Sequence, residues 1–327
     1  MPDLVYTPRQ SEASMETTSG RQSRRRTLLS WLKWIALATL ALLVLATGLA
    51  ILNNNFSRSR PSRAEIVSRL DRSLAASTDW TRSQFAPGNP GQWATSDGRY
   101  FVSNSALAHM LVDCAGMSGD PRLQELATMF AEAHRKRPVM WAKMVDPAIV
   151  AYPVGDREFA ALESYLRWIL HGISPTEEPL SDSDLRDMFS PDKFRTGKAT
   201  HQLFSLYVYR KFNGDTPELQ GVMNQVEGHI ATEAAFDFRV TDAYLQRIAF
   251  LLAAGRPDLV KPRWVERALD AQQSDGGWLY NWHGWAPSPY RFSFAYEQSV
   301  AHSTAQGMWM VCMLKYRYPE WIDQNYK

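Results

Sequence analysis

Residues 203–219, LFSLYVYRKFNGDTPEL, decide the fold. Leu203, Leu206 and Tyr207 fall on one face at helical spacing. Gly214 then suits the left-handed position that ends a helix. Pro217 suits the first turn of the next helix, where its missing N–H costs nothing. The same punctuation recurs as Gly119-Asp-Pro121-Arg-Leu123 and Gly255-Arg-Pro257-Asp-Leu259, with looser copies at Gly172-Ile-Ser-Pro175 and Tyr318-Pro319-Glu-Trp321. Each follows an apolar stretch such as Leu245, Ile248, Ala249 and Leu252. The five prolines are separated by 54, 42, 40 and 62 residues. That spacing fits a helical hairpin with loops of variable length, repeated about five times; a set of unrelated helix ends is the alternative. No long alternating apolar–polar run signals a strand, so an all-α domain is expected.

A second element recurs. Gln273-Ser-Asp-Gly276-Gly-Trp278 follows the amphipathic WVERALDAQ, and His302-Ser-Thr-Ala-Gln306 later opens the apolar helix GMWMVCML. A degraded copy is Gln84 followed by Gly91-Gln-Trp93, ahead of Ser103-Asn-Ser105-Ala-Leu. Gln followed by Gly-x-Trp resembles the QW motif of the squalene cyclase and protein prenyltransferase superfamily. The resemblance implies an α/α toroid, with inner and outer helices alternating round a ring, over residues 64–320. In that family the Gln caps helix ends and the Trp packs on a neighbouring turn, so the motif transfers fold rather than activity. The acidic Asp-x-Asp-Asp motif of terpene cyclases is absent; Asp182-Ser-Asp184 comes nearest and reads as a helix cap. Asp113-Cys114 offers no convincing counterpart of the prenyltransferase zinc ligands. The same toroid occurs in polysaccharide lyases and glycoside hydrolases, whose ring mouth holds a sugar chain.

Outside this region the chain divides by composition. Residues 1–27 are polar and basic and are expected to be a disordered tail. Residues 28–52, LLSWLKWIALATLALLVLATGLAIL, hold one charge, Lys33, and are long enough to span a bilayer. Trp31 and Trp34 sit where an interfacial aromatic belt lies. Arg21, Arg24, Arg25, Arg26 and Lys33 precede the apolar core against Arg58, Arg60 and Arg63 after it. The expected topology is therefore a single-pass inner-membrane protein with a cytoplasmic N-terminus and a periplasmic domain over residues 64–327. A cleaved signal peptide is the rival, since Ala46 and Ala50 are small. Residues 53–63, NNNFSRSRPSR, read as a polar linker. The 327 residues carry 36 Lys+Arg against 34 Asp+Glu, 45% hydrophobic residues and 12 Trp. That composition excludes a mostly disordered or collagen-like chain and argues against a nucleic-acid binder, which carries a basic excess.

The chemistry-bearing residues concentrate in DGGWLYNWHGWAPSPYRFSFA, residues 275–295. Loops between paired helices line a toroid's mouth, so this one is the natural site candidate. Trp278, Trp282 and Trp285 offer stacking faces and Asn281 a polar contact. His283, Tyr290 and Arg291 suit proton transfer beside a uronate carboxylate. The competing role for this loop is a plug that fills the ring. Glu297 is a candidate general acid, or a cap. Asp242, in VTDAYLQ, is a candidate acid/base facing the cavity, or a charge answering a helix dipole. His201 and His302, at the starts of inner helices, are candidate substrate contacts, or satisfied rim histidines. They lack metal-ligand spacing, and no metal or cofactor is expected. No phosphate loop or nucleophile elbow is present. The expected function is recognition or processing of an envelope polysaccharide, lyase- or hydrolase-like. The alternatives are a non-catalytic partner of a membrane complex in envelope assembly or export, and an isoprenoid enzyme.

Only two cysteines are present. Aligning the first inner helix with the last matches Ser105 to Ser303, and each lies nine residues before a cysteine, Cys114 and Cys312. In a closed ring the first and last repeats are neighbours, so a disulfide is one expectation. Two free thiols packed in the core is the other.

Overall fold

The computed structural model describes residues 16–57, 59–88, 92–191, 199–280 and 298–327. Two compact units separate by contact, Met1–Ala50 and Ile51–Lys327.

The first unit is carried by α1 (Glu16–Asn55). Its stretch Ser30–Asn55, 26 residues, is apolar enough to cross a membrane. At 1.5 Å per residue it is roughly 39 Å long, more than the hydrocarbon core needs. The helix begins inside the expected tail, because residues 16–27 contain no proline and propagation is cheap once a helix is nucleated.

The expected linker is also partly helical. Asn53–Asn55 form the last turn of α1, and they are held by specific bonds within the second unit. The fully buried Asn54 donates to the Ala234 carbonyl at 2.8 Å and accepts from the Tyr244 hydroxyl and the Arg267 guanidinium. Asn55 donates to the Ala235 carbonyl and accepts from Lys261. Asn54 and Asn55 read as polar spacer in the sequence, but here they bond to Ala234, Ala235, Tyr244, Lys261 and Arg267.

The second unit is helical, and among its described residues the only strand-like pairings are isolated bridges such as Phe85–Trp93 and Leu279–Ser299. In chain order come α2 (Arg63–Ser83), α3 (Ser96–Ser103), α4 (Ser105–Ser118), α5 (Pro121–Arg135), α6 (Asp156–Ala161), α7 (Ser164–Ile173) and α8 (Asp182–Met188). They are followed by α9 (Ala199–Asn213), α10 (Pro217–Phe236), α11 (Asp242–Ala254), α12 (Pro262–Asp270), α13 (Ala301–Cys312) and α14 (Pro319–Asn325). A 3₁₀ turn spans Met140–Met144 and a π turn Met313–Arg317.

The punctuation acts as expected in most copies. Gly119 and Gly214 take positive φ of 64° and 87° between the paired helices, while Pro121 and Pro217 open α5 and α10. In the third copy Pro257 opens only a short 3₁₀ turn, and Pro262 starts α12. The 172–175 copy differs. Gly172 lies inside α7, where a Cβ would sit 3.0 Å from the Tyr209 backbone nitrogen. Glycine there lets α7 and α9 approach closely.

The packing order runs α4 on α13, α13 on α11, α11 on α9, and α9 on α7. The 3₁₀ turn Met140–Met144 touches both α7 and α4. Behind them, α5 packs on α4, α10 on α9 and α11, α12 on α11, and α2 on α13. Cys114 of α4 and Cys312 of α13 form a disulfide, with Cα atoms 5.6 Å apart.

Aromatic groups fill the space between α4, α9, α11 and α13. The fully buried Trp309 ring lies 5.9 Å from His109, 6.1 Å from Tyr207 and 6.4 Å from Phe250 between centroids. Its indole N–H donates to Asp113 at 2.6 Å, and Asp113 pairs with Arg317. Burial, reinforced by the nearby Lys211 charge, pushes the His109 pKa down to about 4.

Candidate functional site

The first turns of α7, α9, α11 and α13 converge on one cavity of about 600 Å³, lined by Tyr165, His201, Asp242 and His302 together with Asp97, Tyr100, Glu163, Gln246 and Tyr280. Side chains lean toward a helix's N-terminus, and the first turns of these helices bring Tyr165, His201, Asp242 and His302 to the cavity.

Asp242 is the anchor. It is nearly buried, and its backbone N–H donates to the Tyr280 carbonyl at 2.9 Å. Its Oδ1 accepts from His302 Nδ1 at 2.7 Å and from the Ser303 hydroxyl at 3.0 Å. Its Oδ2 accepts from Gln246, one turn further along α11, at 2.9 Å. Thr200 of α9 in turn donates to Gln246 at 3.2 Å. Gln306, with its amide nitrogen turned toward Asp242, donates to Oδ1 at 3.2 Å and accepts from Gln246 at 3.2 Å; the hydrogen-bond network sets that orientation. Three helices therefore hold one carboxylate in place.

The consequence falls on His302. A carboxylate that accepts from Nδ1 fixes the imidazole tautomer and leaves Nε2 as an acceptor. The ring keeps about a quarter of its surface exposed, against a tenth for Asp242. The arrangement can take a proton at Nε2 and steady the imidazolium that results.

Aromatic faces surround the pair. Tyr280 is 51% exposed, with its ring 6.3 Å from His302. Tyr165 stacks against His201 at 4.3 Å, and burial, with Glu163 adding its charge, raises the Tyr165 pKa. Asp97 of α3 accepts from the Ala301 N–H at 3.3 Å and so covers the first backbone donor of α13.

Of the residues singled out from sequence, Asp242, His201 and His302 come together here. Trp278 does not. It is buried, its indole N–H donates to the Ala268 carbonyl at 2.8 Å, and its ring lies against Gly307. Its burial makes it a packing residue rather than the stacking face expected from the loop. Asn281, Trp282, His283, Trp285, Tyr290, Arg291 and Glu297 lie outside the described residues. Glu163, Tyr165, Asp97 and Tyr100 escape the sequence analysis. Glu163 and Tyr165 open α7 as His201 and Asp242 open their helices, a signal hidden by the degraded punctuation of that hairpin. Among the described residues no group of three His, Cys, Asp or Glu side chains is placed to hold a metal. Compared with family models, curated proteins and solved structures, the chain matches none.

Proposed function

We propose that residues 64–327 form an α/α toroid, exported and tethered by α1, whose mouth binds an envelope polysaccharide and processes it by proton transfer through His302. The carrying observation is the Asp242–His302 pair, 2.7 Å apart on neighbouring inner helices and facing a cavity of about 600 Å³. The succession of packed helices from α4 through α13, α11, α9 and α7, returning to α4 by way of the 3₁₀ turn, supports the ring. The disulfide supports an oxidising compartment. Within the site, Asp242 orients His302, His302 accepts a proton from water or from the sugar, and the exposed tyrosines stack on sugar faces.

Two alternatives fare unequally. The filling of the interior by Trp309 and its neighbours leaves little room for an isoprenoid chain. The same filling favours, as a second reading, a non-catalytic partner in envelope assembly that uses the mouth only to bind.

The test is a glycan array on the full chain in detergent, followed by product analysis on each hit. The polysaccharide reading expects products from the wild type and a rate lower by roughly 10²–10⁴-fold in His302→Ala, with binding retained. Binding without products from either protein supports the non-catalytic partner. An array without hits removes the polysaccharide reading.

A further inference from the structure

The charge of the cavity narrows the ligand, granted the polysaccharide site proposed above. Five helix N-termini, those of α3, α7, α9, α11 and α13, reach it, and bare N-termini attract anions; each contributes roughly half a positive charge, about +2.5 together. The sequence answers them with three carboxylates, Asp97, Glu163 and Asp242. Two of the first-turn donors are also taken, the Ala301 N–H by Asp97 and the Asp242 N–H by the Tyr280 carbonyl. The Glu163 carboxylate is exposed and makes no hydrogen bond or ion pair among the described residues. No Lys or Arg lines the cavity among those residues. Among the described residues three formal negative charges exceed the dipoles, so this lining is net negative while His302 is neutral.

Aromatic faces add a second preference. Tyr165 and Tyr280 line the same cavity, and an aromatic face attracts a cation held over it. Carboxylates interleaved with tyrosines suit an ammonium group and disfavour a carboxylate.

We infer that the cavity takes a glycan of amine-bearing sugars, de-N-acetylated hexosamine units, and discriminates against uronates. The Glu163 carboxylate and the tyrosine faces receive the ammonium, while Asp242 is already committed to His302. Elimination needs a C–H acidified by a neighbouring carboxylate, which such a sugar lacks. Any cleavage here is therefore hydrolysis: water bonds to the anomeric carbon as the glycosidic C–O bond breaks, the water's proton goes to His302 Nε2, and the departing sugar oxygen takes a proton from solvent.

The experiment titrates the full chain in detergent at pH 7 with three probes: a glucosamine oligomer, its N-acetylated counterpart and an oligogalacturonate. The inference expects the glucosamine oligomer to bind about tenfold more tightly than the acetylated one at low salt, and the oligogalacturonate most weakly. Glu163→Gln, a substitution at an exposed side chain that leaves the fold intact, narrows that gap to about threefold or less, as does high salt. Tightest binding by the oligogalacturonate, or equal binding of the aminated and acetylated oligomers, overturns the inference and leaves the polysaccharide site standing. Binding by none of the three, together with an array without hits, overturns both.

Discussion

His109 shows how one side chain can report on the whole interior. Its Nδ1–H donates to the Met144 carbonyl (2.9 Å), its Nε2 accepts from the Tyr207 hydroxyl (3.3 Å), and burial holds it neutral with a pKa of about 4. In the unfolded chain the same imidazole titrates near 6.5. Between those values the unfolded state binds the extra proton, so stability is complete above about pH 6.5, falls as pH drops toward 4, and then levels. The loss attributable to His109 is at most about 3 kcal/mol. His134 and His171 are shifted down by burial as well and act in the same direction. Unfolding titrations at neutral pH and near pH 4.5 should therefore show a smaller acid loss in His109→Gln than in the wild type. Equal losses would mean that His109 is charged in the folded protein.

At the scale of elements, Trp278 bridges α12 and α13, its indole N–H bonded to the Ala268 carbonyl and its ring against Gly307. A Cβ on residue 307 would lie 2.7 Å from the Trp278 ring. Gly307→Ala should cost roughly 1–3 kcal/mol by forcing the ring aside, and Trp278→Ala roughly 3–5 kcal/mol through the cavity it leaves. The two are coupled. Placing Gly307→Ala in the Trp278→Ala background should cost little, and a double-mutant cycle from thermal unfolding measures the difference. Full additivity would show that the ring is not what excludes the methyl.

These elements also mark how far the sequence could be read. The ends of α4 and α9 were legible because Gly and Pro act through local backbone geometry that needs no tertiary partner. His201, Asp242 and His302 were legible because they open helices after recognisable hairpin ends. Asp97 was not: its bond to Ala301 spans 204 positions, and no local pattern marks it. Nor was the fourth site helix, α7, since Gly172 serves close packing there rather than a turn. Asn54 misled for a similar reason, because its partners at Ala234, Tyr244 and Arg267 are about 200 residues away.

For the whole molecule, the disulfide between Cys114 and Cys312 is the dominant long-range constraint. It closes a loop of 198 residues, for which chain entropy gives roughly 5 kcal/mol of stabilisation. Thiol titration of the denatured, unreduced protein should find no free thiol, and reduction should lower the melting temperature by several degrees or more. Two titratable thiols per chain in protein recovered from an oxidising compartment would contradict the bond. Alignment of the segments that form α4 and α13 put the two cysteines at equivalent positions. Their meeting was a matter of side-chain direction, which spacing alone leaves open.

The same bond separates integrity of the backbone from integrity of the molecule. A protease that cuts anywhere between residues 114 and 312 leaves two fragments that remain one covalent species. A cut between Asp242 and His302 severs the site pair along the backbone, yet the upstream piece ends up fastened to the downstream one through Cys114. The downstream piece is thereby still leashed to α1. A nicked chain of this kind migrates at full size until it is reduced, and the halves of its site stay within reach of each other.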